Sequence, residues 1–212
     1  MSRIHGLWLS SMFISMFSFG QTEYKKDPAI GVHFFLNDFK SASNLRSSSL
    51  NSVLINKKFG KVKEMTAGLA LNYLRGLNNH FDFSLTGAGS FVSYELRNNP
   101  GTTATDRFLL EVDASIIGKL MPDKYWVTPY VQTGVGGLIY GPYYGAFIPA
   151  GAGLQVNFYD EAFLLLNAQY RIPVTETANY HFYYSLGIAG NIGKKKDATT
   201  LKSTPQLPIV MK

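Results

Sequence analysis

Any chemistry in this chain must come from hydroxyls, carboxylates, imidazoles and basic side chains, because its 212 residues include no cysteine. A thiolate metal site, a disulfide framework and a cysteine nucleophile are therefore excluded. A serine nucleophile needs a base within hydrogen-bond reach and a third group to orient that base. The best candidates are Ser185, the histidines His33 and His181, and Glu111. His181 and Ser185 lie four positions apart in an alternating run, about 13 Å of extended chain, so they form no direct dyad. No nucleophile elbow, helical zinc pair or phosphate-binding glycine loop occurs. The steps Gly134-x-Gly136 and Gly151-x-Gly153 fall inside alternating runs, where small residues ease bending and packing. The expectation is a protein with no enzymatic activity, no metal and no cofactor.

Composition narrows the class. Charged residues make up 16% and hydrophobic ones 46%, against roughly 25% charged in an average soluble domain. There are 20 glycines, 15 Phe, 13 Tyr and 2 Trp. The length suits one medium-sized domain with tails. No apolar stretch after residue 20 reaches the roughly 20 residues of a spanning helix, which excludes a helical membrane protein. The net charge of +6 is scattered apart from Lys57-Lys58, Lys61 and Lys194-Lys195-Lys196, so nucleic acid is not an expected partner. Residues 1–20 read as a secretory signal: Arg3 and His5 head the apolar stretch Leu7 to Phe19, and Ser18-Phe19-Gly20 ends in a small residue. Cleavage is expected before Gln21.

The elements that must position the polar residues are strands. Apolar residues recur with period two, which sends alternate side chains to opposite faces. In Phe81 to Tyr94, Phe81, Phe83, Leu85 and Phe91 share a face with Gly87 and Gly89, while Asp82, Ser84, Thr86, Ala88 and Ser90 share the other. In Phe108 to Leu120, an apolar face opposes Glu111, Asp113, Ser115 and Lys119. Six further runs are Ile30 to Phe39, Met65 to Arg75, Trp126 to Tyr140, Phe147 to Tyr159, Ala162 to Ile172 and Tyr180 to Ile192. No helical spacing is sustained. Most of these eight runs exceed the 5 to 6 residues usual in globular strands and approach the 9 to 11 of a tilted strand crossing a bilayer.

Connection lengths alternate. Lys40 to Glu64, Glu95 to Arg107, Gly141 to Ala146 and Pro173 to Asn179 are expected at one end, and the shorter Gly76 to Asn79, Met121 to Tyr125 and Asp160-Glu161 at the other. Short turns on one side and longer loops on the other are the layout of a bacterial outer-membrane barrel. Two aromatic girdles are expected at headgroup level. Tyr73, Phe81, Tyr125, Trp126, Phe158 and Phe163 form the short-turn girdle. Tyr94, Phe108, Tyr140, Tyr143, Tyr144, Phe147, Tyr170 and Tyr180 form the long-loop girdle.

These segments resemble a known family. Gly31-Val32-His33-Phe34-Phe35-Leu36-Asn37-Asp38-Phe39, Ala67 to Gly76, Pro149 to Gln155 and Tyr184 to Gly190 are similar to the eight-stranded barrel domain of outer membrane protein A-like proteins of Gram-negative bacteria. The resemblance implies an all-β, eight-stranded antiparallel up-and-down transmembrane β-barrel over residues 21–193, placed in the outer membrane. It implies a structural role in membrane integrity and loop display. Residues 194–212, with Pro205 and Pro208, resemble the start of a flexible periplasmic linker. The peptidoglycan-binding domain that often follows such a linker is not represented, so cell-wall anchoring is not carried over.

An eight-stranded barrel is only wide enough for side chains to fill it. Parity sends inward His33, Asn37, Asp82, Ser84, Thr86, Glu111, Asp113, Lys119, Gln132, Gln155, Asn157, Asn167, Gln169, Arg171, His181 and Ser185. Isolated charges there are costly to desolvate. Arg171 is therefore expected to pair with Glu111 or Asp113 near the outer rim, and Asp82 with Lys119 near the periplasmic rim. The alternatives are a narrow gated solute path and, below it, a small lumenal or surface hydrolase. Expected partners are outer-membrane lipid, lipopolysaccharide at the basic loop Lys40 to Glu64, the barrel-assembly machinery during insertion, and a periplasmic partner reached through the tail. Simple solvation of that loop is the plainer reading of its charges.

Overall fold

A strand that is apolar on one face and polar on the other must separate two environments, and a sheet of such strands leaves unpaired edges unless it closes. The computed structural model of the chain describes residues 25–48, 50–56, 59–93, 107–123, 125–159 and 161–192. The strands are β1 (Ala29–Asp38), β2 (Thr66–Gly76), β3 (Phe81–Val92), β4 (Arg107–Lys119), β5 (Val127–Tyr140), β6 (Tyr143–Phe158), β7 (Ala162–Pro173) and β8 (His181–Asn191). Each pairs antiparallel with the next, and β1 pairs antiparallel with β8 to close the barrel. The expected leader at 1–20, the tail at 194–212, Tyr94, Lys57 and Lys58 lie outside the described residues.

The alternation read from β3 and β4 is the alternation of the fold. Asp82, Ser84, Thr86 and Ser90 on β3 and Glu111, Asp113, Ser115 and Lys119 on β4 are buried, while Leu85, Phe91, Phe108, Leu110, Val112 and Ile116 are exposed. The inner apolar side chains form three clusters along the barrel. Val92, Leu109, Leu138, Tyr140, Phe147 and Ala178 lie toward the helical-loop end, Phe35, Ala70, Ala88 and Tyr183 in the middle, and Ala29, Leu74, Ile117, Tyr130, Phe163, Leu165 and Ala189 toward the end where β1 begins and β8 finishes.

Two boundaries depart from the sequence reading. The connection between β5 and β6 is the pair Gly141-Pro142, with Tyr140 opposite Tyr143, and not Gly141 to Ala146. Gly141 has φ +58°, and a two-residue hairpin with glycine at its first central position matches the strand twist. The tight turn lets β6 start at Tyr143, so only the other loop-end connections are long.

The first loop is also not structureless. It carries α1 (Phe39–Ser47), α2 (Leu50–Ile55) and a 3-10 turn (Val62–Glu64). The Asp38 side chain caps α1 by accepting from Ser41 N at 2.8 Å, which satisfies one of the orphan donors of a helix start. Ser41 and Ala42 are buried, and Ser41 Oγ accepts from Gly60 N at 2.9 Å. Phe39 packs on the loop-end inner cluster, and its ring lies 4.5 Å from that of His181. The helical loop thus covers the barrel mouth beside β8.

Closure also requires close strand approach at Gly134, where a Cβ would fall 2.1 Å from the Ala114 carbonyl oxygen and 2.6 Å from Ser115 Cα. These are backbone atoms of the neighbouring strand and cannot swing aside. Gly134→Val is expected to lower the urea stability of the refolded barrel by about 1–3 kcal/mol, the usual cost of overpacking. Gly87→Val, where nothing lies within 4 Å of the added Cβ, is expected to leave it unchanged.

Candidate functional site: the paired charges of the lumen

The period of two places Glu111 and Asp113 on the same inner face of β4, and Gln169 and Arg171 on that of β7. Toward the helical-loop end these residues meet across the lumen. Arg171 Nη1 lies 2.8 Å from Glu111 Oε2, and Nη2 lies 3.3 Å from Asp113 Oδ2. The guanidinium also sits over the Tyr183 ring at 3.9 Å and beside the Phe147 ring at 4.9 Å. A planar, weakly hydrated fork suits this combination of two carboxylates and two aromatic faces better than a lysine would. Asn37 Nδ2 donates to Glu111 Oε2 at 3.2 Å, and Ser115 Oγ donates to Asp113 Oδ1 at 3.0 Å. His181 Nε2 lies 3.1 Å from Glu111 Oε1, with Nδ1 3.0 Å from the Asn179 carbonyl.

A second cluster fills the end where β1 begins and β8 finishes. Lys119 Nζ bonds Asp82 Oδ1 at 2.8 Å and Asp123 Oδ2 at 2.5 Å. Lys26 Nζ lies 2.8 Å from Asp82 Oδ2 and 3.5 Å from Asp123 Oδ1. Gln155 Nε2 donates to Asp123 Oδ1 at 2.7 Å, and Asn157 Nδ2 to the Asp123 carbonyl. All four charged side chains have 0% exposure. Two ammoniums face two carboxylates, so the formal charges cancel within the cluster.

Between the two clusters lies a chamber of about 20 Å³ with Leu74, Ile117 and Leu165 in its lining, room for about one water molecule. His33, Asn72, Ser84, Thr86, Gln132, Asn167 and Ser185 line it with Tyr130 and Tyr183. Asn72 Nδ2 donates to Ser84 Oγ at 2.8 Å and to Thr86 Oγ1 at 2.9 Å. The arrangement holds each lumenal charge against at least one opposite charge.

Among the residues singled out from the sequence, Arg171 meets both Glu111 and Asp113, and Asp82 meets Lys119. Three aromatics expected in the girdles do not belong there. Phe163, Tyr140 and Phe147 are buried inside the barrel: Phe163 lies under Lys26, the Tyr140 hydroxyl donates to the Val92 carbonyl at 2.9 Å, and Phe147 flanks Arg171. Each shares the parity of the inward polar residues on its own strand, and that parity decides its direction. Tyr143 packs on the inner loop-end cluster. Tyr125, Trp126, Phe158, Phe108 and Tyr144 are exposed, and Tyr73, Phe81, Tyr170 and Tyr180 are half-buried. Lys26 and Asp123 escaped the sequence reading. Both lie outside the strands, where no alternation marks a direction, and an unpaired surplus of lumenal charge would have been the only signal.

No protein-family model matches the sequence, and no curated protein matches it. Solved structures do. The outer membrane protein OprG of Pseudomonas aeruginosa is similar with a TM-score of 0.51 and 11% identity, over 78% of this chain and 96% of that one. Neisserial surface protein A gives 0.49 at 12% identity, over 79% and 98%. Ail, the attachment invasion locus protein of Yersinia pestis, gives 0.47 at 14%, over 78% and 98%, in its complex with the heparin analogue sucrose octasulfate. The chain has the closed, eight-stranded, up-and-down antiparallel fold of outer-membrane barrels such as OprG.

Breaking a buried pair by removing one partner strands the other charge, at a cost of about 3–5 kcal/mol. Arg171→Met is expected to destabilise the refolded barrel to urea by that amount, because it strands two carboxylates. Glu64→Gln, which breaks the half-exposed Lys61–Glu64 pair at 3.5 Å, is expected to cost no more than about 1 kcal/mol.

Proposed function

We propose that the chain is an integral outer-membrane barrel with an architectural role: a membrane-spanning, plugged cylinder that displays its loops and adds to the integrity of the membrane. The observation that carries this reading is the apolar belt. Val32 and Phe34 on β1, Leu69 and Leu71 on β2, Leu85 on β3, Leu110 and Val112 on β4, Val131 and Val135 on β5, Ile148 and Leu154 on β6, Leu166 on β7, and Leu186 and Ile188 on β8 are all exposed. Monomeric soluble proteins rarely expose apolar patches above a few hundred Å², and this one recurs on all eight strands while Asp82, Glu111, Asp113, Lys119 and Arg171 are inside. That polarity suits hydrocarbon outside the wall. Tyr125, Trp126 and Phe158 at one rim and Phe108 and Tyr144 at the other suit the headgroup level.

The balanced cluster of Lys26, Lys119, Asp82 and Asp123, the Arg171 contacts with Glu111 and Asp113, and the loop over the mouth support a sealed lumen and a non-catalytic role. The refolded protein is expected to stay dispersed only with detergent or lipid and to give no discrete conductance in planar bilayers. Reproducible conductance steps that change on Glu111→Gln would overturn the sealed reading in favour of a narrow solute path.

A further inference from the structure

Lys26 reaches the lumen from the segment that precedes β1, not from the barrel wall. Lys25 beside it is exposed, whereas the Lys26 side chain has 0% exposure. Its Nζ contacts carboxylates from two elements, Asp82 on β3 and Asp123 in the turn after β4. It donates to Gln155 Oε1 of β6 at 2.5 Å and lies 4.4 Å from the centroid of the Phe163 ring of β7. An ammonium has three N–H donors and no acceptor. Two carboxylates, one amide oxygen and an aromatic face are the complement such a group takes.

Lys119 comes from the wall and already engages the same two carboxylates, so Lys26 supplies the charge that balances the cluster. Two backbone bonds among the described residues hold its segment. Lys26 O accepts from Gly76 N at 3.3 Å, and Pro28 O accepts from Ile192 N at 2.8 Å. A Cβ at Gly76 would come within 2.6 Å of Lys26 N, so glycine there gives the segment space against β2.

We infer that the end of the lumen where β1 begins is a binding site for a primary alkylammonium, and that Lys26 is its tethered occupant. The segment before β1 is then a stopper for the chamber and not part of the wall. This reading requires only the folded barrel and is independent of what the protein does in the membrane.

The absence of native cysteine allows single-cysteine reporters in the full chain. Ser84 lines the chamber beside this cluster, and Ser90 is buried farther along β3 toward the loop end. In the folded, detergent-solubilised protein, Ser84→Cys and Ser90→Cys are both expected to resist a small neutral methanethiosulfonate. Adding Lys26→Ala is expected to speed labelling at position 84 by about tenfold or more through local opening, with position 90 still protected. Propylammonium, which replaces the atoms removed, is expected to restore protection where propanol does not. Equal labelling at position 84 with and without Lys26, loss of protection at both positions together, or indifference to propylammonium would each overturn the inference. If the alanine variant does not refold, Lys26→Gln repeats the comparison, and unchanged labelling at position 84 in that variant overturns the inference equally.

Discussion

An eight-stranded wall has two surfaces that cannot trade places, and the rest of the structure depends on that constraint. Strand alternation puts one residue of each consecutive pair inside and the other outside. Once the ring is closed, the backbone is satisfied by β1 to β8 pairing and the interior is too narrow for bulk water. Every charge that alternation sends inward must then find its counter-charge inside. Arg171 finds Glu111 and Asp113 across the bore, and Lys119 finds Asp82 on the adjacent strand. The same alternation leaves Val112 or Leu186 on the outside with no protein to cover it.

The two clusters solve the pairing problem differently. At the loop end one guanidinium serves two carboxylates, with tyrosine and phenylalanine rings covering its flat faces. At the other end two ammoniums and two carboxylates form a closed set in which each lysine touches both acids. Breaking either set is expensive because the partner left behind cannot reach solvent. The intervening chamber is small, about 20 Å³, and lies between the two charged ends. The loop helix α1, fixed by the Asp38 cap and by Phe39 against His181, packs at the helical-loop end.

Period two made most of this fold readable from residues alone, since a strand such as Phe108 to Leu120 states both its faces. The inward set from His33 to Ser185 follows from parity, and so do the charge pairs, because opposite charges on inner faces have nowhere else to go. Parity was outweighed by rim position at Tyr140, Phe147 and Phe163, and there the structure follows parity. What alternation does not govern was not readable from it. Helix α1 rests on one capping aspartate and a few buried contacts. The Gly141-Pro142 hairpin needed its two residues to be taken as a complete turn. Lys26 and Asp123 sit where no neighbouring strand residue reveals a direction.

The account turns on which side of the wall meets lipid. Single cysteines placed in turn at positions 108 to 117 of β4, each carrying a small fluorophore in the refolded, vesicle-embedded protein, would be read by a quencher attached to the lipid tails. A lipid-facing apolar side gives strong quenching at 108, 110, 112, 114 and 116 and weak quenching at 109, 111, 113, 115 and 117. Uniform quenching along the strand, or the opposite phase, would contradict it.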